Sequence, residues 1–90
     1  MWIRNSRVEE APLQNDLMLF DPQTAKFYVL NGTMAFVWRN CNGKSLNQIA
    51  ESMEDEFSGV DRRQAENDVK VAVQELEQLG LLSRRSEVSA

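Results

Sequence analysis

The 90-residue chain has no histidine and a single cysteine, Cys41. Proton transfer near neutral pH is therefore left to carboxylates, lysines and the lone Tyr28, and no spacing pairs an acid with a base. A solitary thiol forms no internal disulfide, and without histidine it has neither a base to activate it nor a partner to complete a metal site. Cys41 falls on an apolar helical stripe and reads as a buried, inert thiol. No Gly-rich phosphate loop is present. These residues argue against an enzyme, against a cofactor and against a metal, so the chemistry open to the chain is recognition.

Two segments carry recognition chemistry. Lys26, Phe27, Tyr28, Val29 and Leu30 form an aromatic and β-branched run that closes the strand-like part of the chain. As the last strand of a sheet, this run would offer unpaired N–H and C=O groups to another extended chain. Alternation puts Phe27 and Val29 on one face and Tyr28 and Leu30 on the other, and the sequence alone leaves open which pair is core. The second segment is a long helix on which Val71 lies off the core stripe, accompanied by Asn67, Asp68, Gln74, Glu75 and Gln78. One exposed valine is ordinary on a surface, and beside a strand edge it becomes a pocket wall. Asp68 and Glu75 would there face a lysine or arginine of the bound chain. About four or five backbone bonds at roughly 0.5–1.5 kcal/mol each, with two apolar side chains at roughly 1.5–3 kcal/mol each, would offset association costs of several kcal/mol. The resulting affinity would fall between weak micromolar and nanomolar.

The elements that position these residues follow from patterning. Val8 to Ala11, Leu17 to Phe20 and Lys26 to Leu30 read as three short strands, the last two joined by the turn Asp21-Pro22-Gln23-Thr24-Ala25. From Asn31, a plausible N-cap, the period becomes helical, with Met34, Val37, Trp38 and Cys41 on one stripe and Asn42-Gly43 as the stop. Ser45 with Gln48 is a capping box for a helix whose stripe is Leu46, Ile49, Ala50, Met53 and Phe57. Asp61 opens a third helix with a core face of Ala65, Val69, Ala72, Val73, Leu76 and Leu79, closed by Gly80, with Leu81 and Leu82 packing back. The fold class is α+β: a small winged-helix-like domain, β-β-β-α-α-α, with a three-stranded antiparallel sheet. Residues 1–7 read as an N-terminal extension, 8–82 as the domain, and 83–90 as a frayed polar tail. Trp2, outside the patterned body, either docks on the sheet or stands exposed for a partner. Trp38 reads as a core anchor.

Composition sets the limits. Ninety residues support one core, and 42% hydrophobic with 27% charged residues is ordinary for a folded domain. No apolar run approaches the roughly 20 residues of a membrane span, and no secretory signal opens the chain. A soluble, cytoplasmic protein is expected.

In order, the run Leu17-Met18-Leu19-Phe20-Asp21, the segment from Lys26 to Thr33, then Val37-Trp38-Arg39, Asn42-Gly43-Lys44, Ile49-Ala50, Asp68-Val69, Leu76 and Gly80-Leu81-Leu82 resemble the PqqD-like family. The resemblance covers residues 8 to 82. It implies a RiPP recognition element, a non-catalytic domain that binds the leader segment of a ribosomally made precursor peptide. The bound peptide is presented to a modifying enzyme, such as a radical SAM enzyme, or to a leader protease. It also implies that the leader adds as a strand to Lys26–Leu30 and lies beside the helix from Arg62 to Gln78.

The competing reading is a winged-helix DNA-binding protein. Charge opposes it. The chain carries a net charge of -4, and the would-be recognition helix sets three cations (Arg62, Arg63, Lys70) against four anions (Glu66, Asp68, Glu75, Glu77). Too few phosphate contacts remain for DNA affinity, so neither nucleic acid nor membrane is expected as a partner. The same strand edge could instead pair with a second copy as a homodimer.

Overall fold

Three polar side chains decide where the helices begin in the computed structural model, which describes residues 1–85. Asn31 accepts from the Met34 N–H at 3.1 Å and opens α1 (Gly32–Asn40). Ser45 and Gln48 satisfy each other's backbone N–H groups and open α2 (Leu46–Glu56). Asp61 accepts from the Gln64 N–H at 2.8 Å and opens α3 (Arg62–Gln78). Each cap satisfies a donor that a helix start otherwise leaves orphaned. Gly80, at φ 79°, closes α3: its N–H bonds the Glu77 carbonyl, and the Leu81 N–H reaches back to Leu76. This is a Schellman closure, which requires a residue tolerant of the left-handed region.

Before the helices, β1 (Trp2–Arg4) precedes β2 (Glu9–Pro12), β3 (Leu17–Asp21) and β4 (Lys26–Leu30). The last three form an antiparallel sheet in the order β2-β3-β4, with Phe20 opposite Phe27 and Leu17 opposite Leu30. In the β3–β4 turn the Asp21 carboxylate accepts from the Gln23 N–H at 3.0 Å, and Ala25 takes φ 58°. Asp21 is buried. The inward residues Leu17, Leu19 and Leu30 meet Val37 and Trp38 of α1, Ile49 and Met53 of α2, and Val69, Val73 and Leu76 of α3 in one core. Three strands followed by three helices is the expected α+β arrangement.

The ends of the chain differ from the expectation of a loose extension and a frayed tail. β1 pairs antiparallel with β5 (Leu82–Arg84), Trp2 opposite Arg84, in a second, two-stranded sheet. Trp2 is buried in the core, its backbone N–H donates to the Lys44 carbonyl, and the Arg84 guanidinium stacks 4.7 Å above its ring. Trp2 therefore does not stand free for a partner. The driving force is the large apolar area of an indole, with a cation over its face. Of the expected tail, residues 86–90 lie outside the described residues. Leu79 also departs from its expected core position. As the C-cap of α3 it is 40% exposed, because the chain turns away there and Leu81 takes the buried place.

Candidate functional site

β4 ends its sheet, and among the described residues no segment pairs with its outer side. The sheet has two borders, and they are not equivalent. β2 carries Glu9, Glu10 and Pro12, two charges and a residue without an N–H, which are the devices that discourage strand addition. β4 carries Phe27, Tyr28 and Val29, types that favour extended pairing. By alternation, about half of its backbone groups point away from β3. The open border is β4.

The faces left undecided by alternation are now assigned. Phe27 and Val29 point outward, 64% and 61% exposed. Tyr28 is half-buried and Leu30 is fully in the core, so Leu30 can contribute its backbone but not its side chain to a ligand. Lys26 is exposed at the turn end of the strand. On the outer face Phe27 packs on Phe20 with ring centroids 4.6 Å apart, and Met18 lies opposite Val29. An apolar surface thus covers the outside of the sheet, next to the open edge.

Where β4 runs into α1, a cleft of about 310 Å³ opens between the start of α1 and the flank of α3. Asn31, Thr33 and Met34 line one side, and Asp68, Val71, Ala72 and Glu75 the other. The helical period explains the grouping: positions 68, 71, 72 and 75 recur at three and four residues and share one face. Val71 is 54% exposed, an apolar wall open to a ligand. The structure places Asp68, Val71 and Glu75 on the lining of this cleft and the other helical candidates outside it. Gln74 lines a different cavity, with Trp2, Lys70 and Arg84. Asn67 and Gln78 are exposed and line neither. Sequence reading missed Asn31, Thr33, Met34 and Ala72. Asn31 had already been assigned to capping, and no periodicity signals that a helix start will face a distant helix.

Electrostatics sharpen the cleft. Arg62 pairs with Glu54 at 2.7 Å and with Glu66 at 3.5 Å, and Arg84 pairs with Glu77 at 3.4 Å. Among the described residues no cation pairs with Asp68 or Glu75. Cys41 is remote from this chemistry. Burial pushes its thiol up to about 11, against the smaller opposing pull of Arg4, and its Sγ donates weakly to the Trp38 carbonyl. Trp38 is buried under the Arg4 guanidinium, 5.4 Å from the ring, and its Nε1 has no hydrogen-bond partner. Among the described residues no group of acidic or thiol side chains could hold a metal, and no helix is long and apolar enough to cross a membrane.

No curated protein matches the chain. Two solved structures share its fold at 23% sequence identity. One, described as TbiB1 in complex with the TbiA(beta) leader peptide, has a TM-score of 0.80 over 94% of this chain and 99% of that one. The other, a lasso peptide synthetase B1 complexed with the leader peptide, has a TM-score of 0.79 over 92% and 98%. The family model for coenzyme PQQ synthesis protein D matches residues 16–82, from the start of β3 through α3 to the first residue of β5, and on that match the chain belongs to the PqqD family.

Proposed function

We propose that this protein is a non-catalytic RiPP recognition element, which binds the leader segment of a ribosomal precursor peptide by strand addition at β4 and presents it to a modifying enzyme. The observation that carries this reading is the open β4 border beside a cleft on α3 that has an apolar wall at Val71 and an acidic rim. A five-residue edge gives an extended segment a backbone ladder, and the cleft gives one of its side chains somewhere to go. Both fold neighbours are described as bound to leader peptides, which supports the same use here.

The contributing residues are Lys26 to Leu30 through the backbone, with Asp68, Val71 and Glu75 along the helix; Gln74 lines another cavity, and Asn67 and Gln78 line neither. Presentation needs a second surface, and the outer sheet face with Phe27 and Val29 supplies one beside the peptide. The enzyme would be a radical SAM enzyme or a leader protease, acting in the cytoplasm. Pairing of two β4 edges in a homodimer would compete for the same groups.

Calorimetric titration with the leader segment of the precursor peptide from the protein's own gene neighbourhood, in the absence of any enzyme, tests the proposal. Saturable one-to-one binding in the micromolar range or tighter is expected. Binding that appears only when the modifying enzyme is present would overturn the carrier role.

A further inference from the structure

The α3 cleft carries more charge than strand addition needs. Asp68 and Glu75 stand on its rim on either side of Val71, and neither pairs with a cation among the described residues. The rest of the lining, Asn31, Thr33, Met34 and Ala72, is neutral. None of the three cations of α3 lines the cleft: Arg62 is held by Glu54 and Glu66, Lys70 lines a different cavity with Arg84, and Arg63 lies in the first turn, outside both linings. The positive end of α1 opposes these acids with about half a charge, and its Asn31 cap already satisfies one N–H. Two full negative charges outweigh it. The chain as a whole, at -4, adds to the same field.

We infer that the cleft selects extended peptides in which an apolar residue is flanked by lysine or arginine, with Asp68 and Glu75 as the specificity-determining residues. The inference rests on the reading of β4 and the cleft as the peptide site. At about 1.5 Å rise per residue, Asp68 and Glu75 lie about 10.5 Å apart along the helix axis. Side chains of an extended chain that share a face recur every second residue, about 6.6 Å apart. The favoured ligand therefore sets two basic side chains four residues apart, about 13 Å, with the apolar residue for Val71 midway on the same face. Long, flexible lysine and arginine stems absorb the remaining mismatch.

The test uses a displayed library of random 16-residue peptides selected on the full chain. The best binder is then measured by fluorescence anisotropy, and its site is mapped by NMR on the ¹⁵N-labelled protein. Selected peptides are expected to place Lys or Arg on both sides of an apolar residue. The double variant D68K/E75K should weaken the best binder on the order of tenfold at low salt and favour the same peptide with glutamate at the basic positions. D68N/E75Q, which keeps size and fold, should give a smaller loss in the same direction. Peptides that shift Lys26 to Leu30 but bind D68K/E75K within twofold of wild type would overturn the charge selection and leave the β4 site standing. Peptides that bind without shifting Lys26 to Leu30 would overturn the site reading, and this inference with it.

Discussion

Val71→Ser separates binding from folding because the valine is only partly used in the free protein. Full burial of a valine side chain supplies roughly 1.5–3 kcal/mol, and 54% of the Val71 surface is still exposed. About 0.8–1.6 kcal/mol therefore remains for a ligand that covers it. Serine is no worse a helix former than valine, so the backbone of α3 contributes little to the change. The portion already buried costs the free protein about 1 kcal/mol, a fall in Tm of about 4–8 °C for a chain of this size, which leaves it folded at 20 °C. Leader affinity, measured there by calorimetry, should fall about four- to fifteen-fold. Affinity within twofold of wild type, with the predicted Tm shift present, would show that the bound leader does not enter the cleft at Val71.

Other expectations concern the scaffold. Trp2→Ala empties a buried indole site and unties β1 from β5, and thermal unfolding should register a loss of about 3–5 kcal/mol. A near-neutral result would mean that the terminal ribbon is not part of the cooperative unit. Asp61→Ala removes the N-cap of α3 and should cost about 1 kcal/mol in chemical denaturation. The Cys41 thiol, raised by burial from 9.0 to about 11, contributes stability that is whole below pH 9 and is lost as pH rises toward 11, because the unfolded chain ionises first. The stability advantage of wild type over Cys41→Ala should therefore shrink between those values, and an advantage that stays constant would contradict the buried-thiol assignment.

What the sequence disclosed follows the range over which each signal acts. Asn31, Ser45 and Asp61 cap helices through bonds to residues three positions away, so their roles were readable from neighbours alone. The β4 run matched its strand bounds because five consecutive aromatic, aliphatic and lysine residues have few other uses beside a turn. The pairing of Trp2 with Arg84 joins residues at opposite ends of the chain and leaves no periodic trace. Leu79 fitted the helical stripe, and only the Gly80 closure turned it outward. Which face of β4 is core depended on where three helices settle, a tertiary fact that strict alternation cannot carry. On α3, Gln74 is turned away from the cleft and lines another cavity, while Gln78 shares the angle of Val71 but lies two turns farther along the helix, so the cleft keeps only 68, 71, 72 and 75.

The most direct measurement is amide hydrogen exchange with and without the leader segment. Strand addition predicts slowed exchange for outward-facing amides within Lys26–Leu30, with Glu9–Pro12 at the other border unchanged. Protection confined to β2 or α2, with β4 exchanging as in the free protein, would contradict the account.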